Sequence, residues 1–170
     1  VTGIDPTIEG TIDHMVKLVP DNGILVVNEG FSKHSFTFPR SVNIEIATLD
    51  DNVVNVLYKN GTVTTELQNG YLTVTHNLGG KTYTIHVIHL PSEGCTKNDT
   101  NVQKLYRLCG TLLKSKTTFI VGDSNLTGNK SCNITQIDER LSKMGLSVTR
   151  NPIEISKHRI PNNMFRNNQV

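Results

Sequence analysis

At 170 residues the chain is long enough to bury a substantial core as one domain and gives no reason to expect a second. A net charge of +2 at pH 7 excludes the strongly basic balance that would by itself demand a polyanionic partner. No apolar run approaches membrane-spanning length and no signal peptide is visible at Val1, so the expectation is a protein without a membrane span, located inside the cell.

Cys95, Cys109 and Cys132 are widely spaced and include no Cys-x-x-Cys pair, a pattern that reads neither as a disulfide framework nor as a zinc site. Cys109 lies in an apolar helical pattern and reads as a small core residue. Asn-x-Ser/Thr sequences begin at Asn60, Asn98, Asn125, Asn129 and Asn133. In a chain rich in Asn and Thr many of these arise by chance, and they do not change the intracellular expectation.

From Pro6 to Val19 the residues Ile8, Ile12, Met15, Val16 and Val19 recur at helical spacing, with Asp5 as a cap and Pro6 in the first turn. Pro20-Asp21-Asn22-Gly23 ends this helix, and Ile24-Leu25-Val26-Val27 follows as a buried strand running into Asn28-Glu29-Gly30. A carboxylate at the end of an apolar strand is expensive to bury without a partner or a cation, although a solvated strand end explains a lone Glu equally well.

A meander occupies the middle of the chain. Strands are expected at 42–48 and 53–58, joined by Leu49-Asp50-Asp51-Asn52. Asn60-Gly61 and Asn69-Gly70 then lead into strands at 62–67 and 71–76, and Gly79-Gly80 into 81–89. Asn-Gly between alternating runs is a strong hairpin signal, and its repetition predicts an antiparallel sheet. By alternation His89 shares a face with Ile85 and Val87 while His86 faces the other way, and Pro91 puts His89 at the rim.

Helices are predicted over 101–113 and 134–144, the first with Val102, Leu105, Leu108, Cys109 and Leu112 on one stripe, the second stopped by Gly145. Between them the strand 117–121 runs into Gly122-Asp123-Ser124-Asn125. These four residues are all common turn formers, yet in extended geometry Asp123 and Asn125 would face one site together. A short strand is expected at 146–149. Beyond Arg150 the chain turns polar and basic, with Lys157, His158, Arg159 and Arg166 against Glu154. That stretch reads either as solvated surface or as a strip facing phosphate.

Three strand ends thus carry polar groups: Glu29; His89 with Ser92; and Asp123 with Asn125. In this order, Asn28-Glu29, His89-Leu90-Pro91-Ser92 and Gly122-Asp123-Ser124-Asn125 resemble the endonuclease/exonuclease/phosphatase (DNase I-like) family, whose strands end in Gln-Glu, His-x-Pro-Ser and Gly-Asp-x-Asn. The resemblance covers about 5–149 and implies an α/β fold: a two-sheet sandwich, mainly antiparallel, with helices on the outside. It also implies a metal-dependent phosphodiester hydrolase, most naturally a nuclease, acting on nucleic acid or another phosphodiester substrate. Glu29 would hold Mg2+ (or Mn2+), a hard ion that keeps several waters and needs few protein groups. Asp123 would orient or deprotonate the attacking water, Asn125 would stabilise the transition state, His89 would donate to a phosphate oxygen, and Ser92 would touch substrate.

Two departures qualify the resemblance. Gly3 stands about where the family has a metal-site Asn, leaving Asp5 as a substitute acid for the metal. The family's closing Ser-Asp-His is matched only by Ser156-Lys157-His158, where Lys cannot accept the imidazole N–H. The chain is therefore read as a single domain over 1–170 in which the C-terminal strands are either lacking or reduced. The alternative reading is a non-catalytic, family-like domain that binds or assembles.

Overall fold

A computed structural model of the chain describes residues 6–32, 36–91, 100–126, 132–150 and 163–167. The first helix, α1, spans Thr11–Leu18, shorter than expected. Residues 6–10 form turns, so Pro6 does not open the helix, and Asp5 lies outside the described residues. The strand β1 (Ile24–Val27) follows, then β2 (Asn43–Leu49) and β3 (Asn52–Tyr58). These three form an antiparallel sheet in the order β1-β3-β2.

The larger sheet has six strands. Its first three are β4 (Thr62–Leu67), β5 (Leu72–Leu78) and β6 (Lys81–His89), and the others are β7 (Thr118–Asp123), β8 (Leu146–Arg150) and β9 (Asn163–Asn167). Their order is β4-β5-β6-β7-β9-β8. All neighbours are antiparallel except β6 and β7, which are parallel. A parallel pair needs a long crossover, and α2 (Thr100–Leu112) lies in it; α3 (Ile134–Lys143) precedes β8.

Strand alternation explains how the layers stack. Val54, Val56, Leu72, Val74, Ile85 and Val87 are buried in one apolar cluster drawn from both sheets, with Phe119 and Val121 against it. The opposite faces are covered by helices. Met15 and Val19 pack with Leu25, Val27 and Leu57, while Leu105, Leu108, Ile137 and Leu141 pack with Ile88 and Ile120. Each such side chain taken fully from water contributes roughly 1.5–3 kcal/mol. The architecture is the expected two-sheet sandwich, mainly antiparallel, with helices outside. No helix among the described residues is long and apolar enough to cross a membrane.

Three expectations are corrected. The meander is divided between two sheets, because Asn60-Gly61 is a crossing and not a hairpin: β3 pairs with β1 and β2, whereas β4 pairs with β5. Side chains hold this crossing. His76, buried, donates from Nε2 to the Asn60 carbonyl (2.8 Å), and Asn60 Nδ2 donates to the Asp21 carbonyl (2.6 Å). Second, part of the polar stretch after Arg150 is β9, which lies between β7 and β8. Its backbone completes ladders on both sides, a tertiary demand that overrides weak local preference. Lys157, His158 and Arg159 lie outside the described residues. Third, Cys132 is disulfide-bonded. Such a bond depends on tertiary proximity, which the spacing of three cysteines does not reveal. Cys109 is buried as expected, and burial pushes its thiol up to about 12, which leaves it inert at neutral pH.

The crossing generates a prediction. Gly61 has φ 81°, and a Cβ there would run into the Asn77 carbonyl and approach His76 Nε2 to 2.9 Å. Gly61→Ala should therefore lower the unfolding free energy by about 2 kcal/mol in urea titration. An unchanged midpoint would show that the crossing tolerates a side chain.

Candidate active site

The site is built where β1, β6 and β7 end. Asn28, at the end of β1, is 1% exposed, and its Nδ2 donates to the carbonyl of Ile88 in β6 (3.0 Å). This bond joins the two sheets. It needs Gly122 in β7, because a Cβ there would run into the Ile88 carbonyl and come within 2.9 Å of Asn28 Nδ2. Gly122 has φ 131°, a conformation that glycine alone adopts readily. Gly122 was expected to close the strand; it lies within β7 and permits the close approach.

Glu29 is clamped on both sides. Behind it stands Asn28. Ahead of it, the Gly30 N–H donates to the Val53 carbonyl (2.7 Å). Asn55, fully buried, then holds Phe31 in two ways: its Oδ1 accepts from the Phe31 N–H (2.8 Å) and its Nδ2 donates to the Phe31 carbonyl (2.9 Å). Between these anchors Glu29 sits at φ 49°, a left-handed conformation uncommon for a side chain of its kind. Its carboxylate is 38% exposed and lies 3.4 Å from His89 Nε2, and the other ring nitrogen, Nδ1, lies 3.1 Å from Asn52 Nδ2.

His89 and Asp123 are register partners at the ends of the parallel strands β6 and β7. The Leu90 N–H donates to the Asp123 carbonyl (2.9 Å), and Asn125 Nδ2 donates to the Leu90 carbonyl. The Asn125 N–H donates to Asp123 Oδ1 (2.8 Å), with Asn125 at φ 52°. Asp123 and Asn125 are therefore brought together by an Asx-type turn and not by strand alternation. Gly-Asp-Ser-Asn is both a turn and part of the site.

Asp123 is 2% exposed. Burial raises its pKa above the ordinary value of 3.8; the Asn125 N–H and, when it is protonated, the His89 ring oppose the rise, and Glu29 adds to it. His89 pairs in register with Asp123 on one side and reaches Glu29 with its ring on the other. Glu29, His89, Asp123 and Asn125 are thus gathered at one end of the sandwich. Asp5 and Ser92 lie outside the described residues.

Sequence reasoning missed Asn52 and Asn55 as supports and noted Asn28 only as standing where Gln is usual. Asn55 carried a readable signal, a lone amide within Val53-Val54-Asn55-Val56, where a buried polar group must find partners. Asn52 was read as part of a connector. Its role depends on how the β2–β3 hairpin meets β6, which no local pattern reveals. Among the described residues no group of three or more His, Cys, Asp or Glu gathers as a metal cage.

No family model matches the chain, and no curated protein matches it. Solved structures do. A humanized D. rerio TDP2 carrying 14 mutations superposes with a TM-score of 0.56 at 12% identity, covering 95% of this chain and 74% of that one. The endonuclease domain of TRAS1, a telomere-specific non-LTR retrotransposon, gives 0.57 at 11% identity, covering 100% and 97%. D. rerio TDP2 complexed with a single-strand DNA product gives 0.52 at 11%, covering 98% and 81%. At these identities the fold is what is shared, a DNase I-like two-sheet α/β sandwich.

The raised Asp123 pKa yields a prediction with a definite sign. A carboxyl whose folded pKa exceeds its unfolded value stabilises the fold below the unfolded value, and that stability is lost as pH rises through the folded one. Asp123→Asn keeps the acceptor for the Asn125 N–H and removes the buried charge. In EDTA at neutral pH it should melt higher than the parent, with the difference shrinking as pH falls through the raised value and gone below pH 3.8, the ordinary aspartate value. A lower melting temperature at neutral pH would mean that the carboxylate is stabilised in the fold.

Proposed function

We propose that this chain, which has a DNase I-like fold, is a Mg2+-dependent phosphodiesterase that cleaves nucleic acid. The reading is carried by the convergence of Glu29, His89, Asp123 and Asn125 from three strand ends. The similar folds of the TRAS1 endonuclease domain and of TDP2 complexed with single-strand DNA favour nucleic acid over other phosphodiesters.

The residues fit a hydrated hard cation. Glu29 offers a partly exposed carboxylate, and Asn28 Oδ1 is buried with no hydrogen-bond partner among the described residues. Mg2+ commonly takes only one or two carboxylates and keeps its waters. Glu29 would hold the ion, with Mn2+ able to replace it and Asp5 as a further candidate ligand. When bound, the ion offsets negative charge on the phosphoryl oxygens.

The chain's own groups supply the remaining chemistry. Burial makes the Asp123 carboxylate a stronger base, and with Oδ1 engaged by the Asn125 N–H its other oxygen orients a water and accepts its proton. The Asn125 amide has two N–H groups. One donates to the Leu90 carbonyl, and the second stabilises the charge that develops on the phosphoryl oxygens. A donor whose direction is set beforehand is worth most in a site that excludes water. His89 donates a hydrogen bond to a phosphate oxygen, and Ser92 contacts substrate.

The test is cleavage of labelled single-stranded and duplex DNA and RNA, in Mg2+ or EDTA. Cleavage should require the ion. Asn125→Ala should lower turnover about 10²- to 10³-fold, the usual cost of one transition-state donor, and Asp123→Asn should lower it at least as far. Mg2+ should raise the melting temperature of the parent but not of Glu29→Gln, since a ligand that binds only the folded state stabilises it. Cleavage that persists in EDTA, or is indifferent to both site variants, would overturn the proposal. Binding without cleavage would favour a role in binding or assembly.

A further inference from the structure

The β2–β3 hairpin has a two-residue loop, Asp50-Asp51, closed by the pair Leu49 and Asn52. Both loop residues have positive φ, 48° and 65°, the conformation a tight hairpin turn requires. Asn52 is thereby set at the base of the turn, where its side-chain nitrogen has two neighbours, the Asp50 carbonyl at 3.3 Å and His89 Nδ1 at 3.1 Å.

The first neighbour decides the second. A backbone carbonyl can only accept, so the amide atom facing Asp50 is nitrogen; exchanging the two amide atoms would set two carbonyl oxygens against each other. An N–H donor directed at His89 Nδ1 requires a lone pair there. On the far side of the ring, Nε2 lies 3.4 Å from Glu29 Oε1, and a carboxylate oxygen requires a donor. One neutral tautomer, bare at Nδ1 and protonated at Nε2, makes both contacts. The opposite tautomer makes neither, and the doubly protonated ring loses the contact with Asn52.

We infer that Asn52 is a positioning residue that keeps His89 Nδ1 bare and so places the ring N–H at Nε2, making it a hydrogen-bond donor at the edge of the site. The tautomer follows from the side-chain geometry alone. Its use, an Nε2–H that can turn from Glu29 to a phosphate oxygen, rests on the proposed phosphodiesterase reading. A carboxylate in the same place would instead draw a hydrogen to Nδ1, so the choice of amide over acid at position 52 sets what the ring can do.

The experiment is long-range proton–nitrogen NMR on the full chain labelled with ¹⁵N-histidine, in EDTA at about pH 9, well above the ordinary histidine range. In the parent, Nδ1 of His89 should resonate as an unprotonated nitrogen and Nε2 as a protonated one. Asn52→Asp, which preserves shape but accepts instead of donating, should put a hydrogen on Nδ1. A protonated Nδ1 in the parent would overturn the inference without any variant having to fold. So would an unchanged pattern in a folded Asn52→Asp. The proposed activity fails separately: a parent with bare Nδ1 that cuts no nucleic acid keeps the tautomer and loses the phosphodiesterase.

Discussion

One contact governs the end of this molecule where the polar strand ends meet: the Asn28 amide reaching the Ile88 carbonyl over a glycine without a side chain. The two sheets are held face to face by an apolar cluster, but apolar burial has no direction and does not by itself fix how strand ends align. A buried amide does. If it lost its partner, the exposed cost would be that of an unsatisfied polar group, roughly 1–3 kcal/mol. That penalty keeps the end of β1 in register with the ends of β6 and β7, and so brings Glu29 to His89 and Asp123.

The amides form a pattern. Asn28 ties β1 to β6, Asn55 clamps the chain just after Glu29, Asn52 meets the ring of His89, and Asn125 ties the turn after β7 back to Leu90. An amide can bridge two backbone or ring groups without bringing a charge into the interior, whereas a buried carboxylate needs a cation or a donor set of its own. Charge is thereby reserved for Glu29 and Asp123. Glu29 and Asn125 both occupy left-handed backbone, which persists only where the surroundings over-determine it. Here they do, through hydrogen bonds immediately before and after Glu29 and through the backbone and side-chain bonds of Asn125 itself.

Much of this was legible in the sequence for definite reasons. Continuous apolar runs marked β1 and β7, alternation marked the face of His89, Pro91 marked the rim, and Gly-Asp-x-Asn marked the turn that carries Asp123 and Asn125. What was not legible depends on contacts distant in the chain. Asn60-Gly61 has the same local signature as Asn69-Gly70, yet one crosses between sheets and the other closes a hairpin, because His76 and Asp21 hold the first in place. The strand β9 is polar in sequence and is drawn into the sheet by open edges on both sides. Asn52 looked like turn filler because its partner, His89, is 37 residues away.

These strand ends are proposed to form one cation-holding site. Paramagnetic mapping with Mn2+ tests it most directly. Trace Mn2+ added to ¹⁵N-labelled chain should broaden the backbone signals of Glu29, His89, Asp123 and Asn125 together, with recovery in EDTA. Broadening centred on the carboxylates of α1 or α3, or none at the strand ends, would contradict it.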